Sequence, residues 1–395
     1  MAFALGAVLA PKAGRVPDGE GEGPLLPHAP GRRSFQVSFL PRRVCPRERV
    51  LYVRNKLWRW TYVLLSFIGK RLLQMIPLLL CVTIIIFVVI QLPPGDYLTT
   101  YIRQKESTGT VVGAEEIAGL RARYGLDQPM YLQYLDWIWG IISRGDFGSS
   151  FSWDMPVSKL IGQRLPMTLA VSILTLIFVW GVSIPIGIYS ATHQYSVGDY
   201  IVSAFGFIGM SVPGFLLAIF VIYEVYKYSG VAISGMFSYQ YQMAAWSWAK
   251  FINMLPRFFV LVAVIGVANT AAMIRTFRAM MLDELGKQYV TTARAKGVSE
   301  RRLLWKYPVR MAITPQVSTL AATFAGLISG ETIVSLVFNM ETCGPMMYQA
   351  LITQDMYLAG SFLLISSIMV VAGSLISDIL LSIIDPRIRF GGVVE

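Results

Sequence analysis

The chain has 395 residues, of which 55% are hydrophobic and only 14% charged, with a formal net charge of +11 and a mean hydropathy of +0.56. Soluble domains carry about 25% charged residues, so the composition excludes an ordinary soluble protein. It also turns the basic excess into a question of membrane topology before one of nucleic acid. Lipids are expected partners and nucleic acid is not.

Residues 1–50 are rich in Gly, Pro and Arg, with GEGEG followed by PLLPHAPGRR, and lack a sustained apolar period. They are expected to form a disordered basic tail. The opening MAFALGAVLAP is short for a signal peptide and has no basic n-region, and the positive charges after it oppose export; whether 1–50 persists in the mature protein stays open. Residues 51–70 mix Trp, Tyr and Lys/Arg with aliphatics. This suits a cytoplasmic interfacial helix or the foot of the first span.

The stretch LLLCVTIIIFVVI (78–90) is apolar on every face, as a spanning helix is and an alternating barrel strand is not. A bilayer core of about 30 Å takes about 20 helical residues. The long uncharged runs therefore predict six transmembrane helices near 71–92, 166–191, 201–226, 255–281, 311–338 and 357–384, an all-α membrane protein. Segment 93–165 between the first two is expected to be a folded extracytoplasmic part. Within it Tyr131, Leu132, Leu135, Ile138 and Trp139 recur at spacings of three and four, predicting an amphipathic helix packed through them.

Charge sets the orientation. Residues 1–71 hold 13 Lys and Arg against 4 acids, loop 282–311 holds 7 against 3, and 339–357 has no basic residue. Both termini, including the tail 385–395, and loop 282–311 are thereby expected to be cytoplasmic, in a multi-pass plasma (inner) membrane protein whose core, the second to sixth spans, is 166–384.

Chemistry is sparse. No GxxxxGK[ST], GxSxG or HExxH pattern occurs, and His28 and His193 lie far apart. The three cysteines, Cys45, Cys81 and Cys343, offer no disulfide on the oxidising side. No catalytic residue, metal or cofactor of this chain is expected. Ion coupling needs ionisable groups at mid-membrane, whereas Glu331 and Asp378 fall toward helix ends, where anchoring is expected. Arg275 and Arg278 are expected to snorkel to the cytoplasmic face.

The informative segment is ELGKQYVTTARAKGVSERRLLWKYPVRMAITP, 284–315. Tyr289 to Lys296 lack helix breakers and include the small or hydroxyl residues Thr292, Ala293 and Ala295. Gly297 can take the left-handed conformation that ends a helix, Ser299 can cap the next, and Pro308 stops it. Two short helices with a glycine turn are predicted, with small residues admitting another protein's surface. Arg294, Lys296, Arg301 and Arg302 could pair with acidic groups around a socket.

TARAKGVSERRLLWKYPVR resembles the coupling loop of ABC importer permeases, in which an alanine and a glycine, here Ala293 and Gly297, insert into a cleft on the ATPase. RLLQMIPLLLCVTIIIFVVIQLPPGD, YGLDQPMYLQYLDWIWGIISRGDFGSSF, PVSKLIGQRLPMTLAVSIL, ETIVSLVFNMETCGPMMYQALITQDMYL and DPRIRF extend the likeness over about 62–390. Together they are similar to the first permease subunit of the dipeptide/oligopeptide/nickel importers. Tyr97 departs from the second proline frequent there, and 1–61 has no counterpart. The resemblance implies a type I importer permease without covalent chemistry, paired with a second permease, with two cytoplasmic ATPases that bind ATP and Mg and with an extracytoplasmic solute-binding protein. Peptides are the expected cargo, and nickel chelates or oligosaccharides the alternative. An ion-coupled carrier and a membrane scaffold are the rival classes. Pathway and substrate residues are not assigned.

Overall fold

The computed structural model describes residues 46–92, 113–123 and 128–384, with isolated positions at 98, 102 and 106–107. The chain divides into two compact units, 1–60 and 61–395. Of the first, Pro46–Trp60 is described and is helical, so Pro46–Val50 is helix where an irregular tail is expected. The expectations for 1–45 and 385–395 lie outside the described residues.

Helix α1 (Pro46–Gln91) is followed by α2 (Ala114–Arg123), α3 (Met130–Arg144) and a small antiparallel hairpin, β1 (Ser149–Ser150) with β2 (Met155–Pro156). Next come α4 (Val157–Thr192), α5 (Val197–Ser211), α6 (Gly214–Ser229), α7 (Tyr239–Gln242) and α8 (Trp248–Leu285). Helices α9 (Gln288–Ala295), α10 (Glu300–Lys306), α11 (Pro308–Ser318), α12 (Leu320–Val337), α13 (Cys343–Ile352) and α14 (Met356–Ile384) complete the order. Among the described residues five helices are long and apolar enough to cross a membrane: Ile68–Gln91 of α1, then α4, α8, α12 and α14. A sixth span exists only if α5 and α6 are taken as one bent pair.

The helix expected over 201–226 is thus two pieces, bent by 102° between them. Pro213 has no N–H for the helical ladder and disfavours the α region for the residue before it. Val212 accordingly sits at φ −85°, ψ 120°, which is extended. The expected helix 311–338 is likewise two pieces, α11 and α12. The N–H of Thr319 between them is shared by the carbonyls of Pro315 and Gln316, a tightened turn.

Helices α4 and α8 make the most extensive helix pair. Two glycines bring them close: a Cβ on Gly266 would lie 2.6 Å from the Phe178 ring, and one on Gly187 2.7 Å from Phe277. Around them Val171, Leu261, Ile265, Leu327, Val334 and Phe338 form the largest apolar core. Buried Asp355 joins the hairpin to α14, accepting from the Ser150 hydroxyl at 2.5 Å and from the N–H groups of Ser152 and Leu358 at 3.1 and 3.2 Å. Burial pushes its carboxyl above the ordinary carboxylate range, against the pull of these donors.

Gly344, at the start of α13, faces backbone: a Cβ there would lie 2.7 Å from Cα of Thr332. Gly344→Ala is expected to cost about 1–3 kcal/mol by overpacking, seen as a lower aggregation temperature of the purified protein. Gly326→Ala, with nothing within 4 Å of its added Cβ, serves as the control. Equal behaviour of the two would contradict the expectation.

Helix α3 forms as expected, but of the expected stripe Ile138 packs while Tyr131, Leu132, Leu135 and Trp139 are left exposed or partly so, and the buried centre is Trp137. Trp137 (6% exposed) is buried against Phe87 and Leu364 with Tyr134, Ile138 and Ile141 beside it, while Tyr131 and Trp139 are 65% and 67% exposed. The helix carries two apolar stripes, and long-range partners choose between them. Tyr134 shares a 2.9 Å hydrogen bond with Thr83 Oγ1, and Gln91 Nε2 donates to Gln133 Oε1 at 3.0 Å.

Candidate functional site

Loop 282–311 folds as two short helices, α9 and α10, around a turn at Gly297, which has φ +75°. The turn closes with Gly297 N–H donating to Arg294 O at 2.9 Å and Val298 N–H donating to Ala293 O at 3.3 Å. These bonds satisfy the last carbonyls of α9. Val290, Ala293 and Leu303 form a small core between the two helices.

The predicted residues divide between this inner side and the surface. Ala293 (7% exposed) gives its methyl to the loop's own core, whereas Thr292, Ala295, Lys296, Gly297 and Arg301 lie on the outer surface. Arg294 is engaged within the loop, its guanidinium holding Glu300 through two oxygens at 2.6 and 3.2 Å. That pairing raises Arg294 and lowers the Glu300 carboxyl from their ordinary values. Ser299 stands at the N-cap position of α10, yet its side chain makes no capping bond. Thr292 Oγ1 turns back to donate to Gln288 O at 2.9 Å.

Glu284, at the end of α8, clamps the loop to its supporting helix. It accepts from Lys287 Nζ at 2.5 Å and from the hydroxyl of Tyr289. Burial first, and Glu284 second, push the Tyr289 phenol above its ordinary range, so it stays a donor at neutral pH. The hydrogen bond to Glu284 likewise raises Lys287. Arg310, on α11, donates through Nη2 to the carbonyl of Ile384 at 2.6 Å, tying α11 to the end of α14.

Behind the loop lies a polar centre that sequence reasoning misses. Arg278 on α8 is engaged within the chain: its Nε and Nη2 reach the two carboxylate oxygens of Asp199 on α5 at 2.8 and 2.7 Å, and Nε is 3.0 Å from Ser190 Oγ on α4. Asp199 (3% exposed) also accepts from the Ser190 hydroxyl and from Tyr195 N–H. The available signal is two lone charges at the ends of apolar runs, 79 residues apart, with nothing local to pair them. The other charges flagged in the sequence behave as anchors. Glu331 is buried beside the hydroxyls of Ser172 and Ser335 at 3.5 and 3.3 Å, and Asp378 pairs with Arg71 at 3.3 Å. Arg275 is exposed. Among the described residues no group of His, Cys, Asp or Glu could hold a metal ion.

An all-α bundle of spanning helices, with a helix–glycine–helix loop fastened to the end of α8, defines a polytopic membrane protein. Comparison with known proteins makes this specific. Residues 183–390 match the family described as binding-protein-dependent transport system inner membrane component, and 64–172 match that family's N-terminal part. The oligopeptide transport system permease protein AppB of Bacillus subtilis is 33% identical over 82% of this chain and 99% of its own length. OppB of Haemophilus influenzae, an oligopeptide transport system permease protein, is 29% identical over 83% and 100%. The dipeptide transport system permease protein DppB of Escherichia coli K12 is 28% identical over 82% and 99%. The chain belongs to this family, the membrane-spanning permease subunits of ABC importers, and is a transport subunit of a membrane.

Proposed function

We propose that the chain imports peptides as one of two permease subunits, with loop 289–306 docking on a cytoplasmic ABC ATPase and an extracytoplasmic binding protein delivering the cargo. The observation that carries the cargo class is the relationship to AppB, OppB and DppB, three proteins named for oligopeptide or dipeptide transport, each matched over nearly its whole length. The docking assignment is supported by the ordered loop: Lys296, Gly297 and Arg301 are presented outward on a turn held rigid by its own core and by Glu284. The charge asymmetry of the loops supports placing this loop and both termini in the cytoplasm.

ATP and Mg belong, in this reading, to the ATPases. Closure of the ATPases pushes the docked loops and shifts the helices between inward- and outward-facing arrangements, a rigid-body population change. The permease provides the path and the lever.

Coexpression with a partner permease and the ATPases, and purification through a tag on this chain alone, tests the assembly. Both partners are expected in the eluate; recovery of this chain alone contradicts the reading. Deleting residues 1–45 is expected to leave that assembly unchanged, because the family match begins at residue 64. Loss of partners from the shortened chain would make the tail part of the complex.

A further inference from the structure

We propose that Asp199 and Arg278 are positioning residues that carry the movement of the docking loop into the bent pair α5–α6. The inference rests on reading loop 289–306 as the ATPase contact. Three links run in series. Glu284 ties the loop to the last turn of α8 through Lys287 and Tyr289. Six residues back, about 9 Å along the helix, Arg278 grips Asp199 with two nitrogens on two oxygens, fixing orientation as well as distance. From Asp199 the chain runs up α5 to the 102° bend at Val212–Pro213.

The packing of α5 separates this from an ordinary structural ion pair. Asp199 is the one residue of α5 that is buried, while Tyr200, Ile201, Phe205, Phe207 and Ile208 are exposed. Gly209 of α5 lies close to Ala271 and Val267 of α8, but the one side chain of α5 that is buried in the chain is a carboxylate. A buried ion pair is a poor way to gain stability, since well-packed apolar groups do as well or better. It does hold one arrangement against all others, and a lever needs that property. The turn before α5 is held to the same point, with Tyr195 at φ 64°, a conformation sparse for a tyrosine, donating its N–H to Asp199 Oδ2 at 3.0 Å. A turn or tilt of α8 is thereby imposed on α5, whose far end is the bend.

The test uses the full complex in liposomes, measuring ATP hydrolysis and labelled-peptide uptake on the same vesicles. Asp199→Asn removes the charge at constant shape, and Arg278→Lys keeps the charge and removes the two-pronged grip. Both variants are expected to assemble and hydrolyse ATP at the basal rate of wild type, while peptide taken up per ATP falls by about ten-fold or more. An unchanged peptide-to-ATP ratio in both variants overturns the inference, as does loss of assembly in both, which would make the pair purely structural. Wild type in parallel separates the two claims. If wild-type vesicles take up no peptide, the importer reading fails; if they do and the variants match them, only the lever fails.

Discussion

Arg278→Met is expected to destabilise the protein by roughly 3–5 kcal/mol, the range for leaving one partner of a buried pair uncompensated. The two partners are not equivalent. The Asp199 side chain is 4% exposed and that of Arg278 24%, so the carboxylate cannot find water when its cation is removed, whereas the guanidinium can in part when the acid is neutralised. Asp199→Asn is therefore expected to cost only about 1 kcal/mol, because its amide oxygen still accepts from the guanidinium. Adding it to Arg278→Met should recover most of the loss, a coupling read from the four proteins of a double-mutant cycle. Thermal aggregation of the detergent-solubilised chain reports each value. Equal and small shifts for the two single variants would mean that water screens the pair.

The second large effect falls on Gly297. Its φ of +75° lies where an L side chain costs about 1–2 kcal/mol, and more where it is β-branched. Gly297→Val is expected to unwind the turn, leave membrane insertion intact and abolish ATPase recovery in the tag pull-down. Asparagine visits the left-handed region at little cost, and an added Cβ meets nothing within 4 Å in this chain. Gly297→Asn should thus keep the turn and still impair docking, because the new bulk projects only toward a partner. Wild-type ATPase recovery with Gly297→Val contradicts the docking assignment. Full recovery with Gly297→Asn alone would restrict the role of the glycine to backbone conformation.

What the sequence makes legible follows the range of the forces involved. Uninterrupted apolar runs announce spanning helices because each side chain is judged against lipid alone, with no knowledge of its neighbours. The loop geometry is equally local: the left-handed turn is written in Gly297 and the stop in Pro308. Pro213 marks the bend of α5–α6, but an angle of 102° depends on packing that hydropathy does not carry. Helix α3 shows the limit, since Tyr131, Leu135 and Trp139 make as good a stripe as Tyr134, Trp137 and Ile141, and only Phe87 and Leu364 decide between them. Asp199 and Arg278 are each visible as isolated charges, and their union is a tertiary event. The docking expectation draws on the helix–glycine–helix pattern with its small residues as well as on the resemblance in motif and order; the structure adds that Ala293 and Arg294 are occupied inside the loop while Lys296, Gly297 and Arg301 face outward.

In the proposed importer this chain moves peptide only when ATPases drive it. The most direct measurement is uptake of a labelled oligopeptide into sealed liposomes holding the co-purified complex, with ATP enclosed on the loop side and loaded binding protein added on the other. Uptake that requires both ATP and the binding protein, and that stops when Gly297→Val replaces the wild-type chain, is the predicted result. Uptake by this chain alone, without ATPase subunits, would contradict the account and make the protein a carrier in its own right.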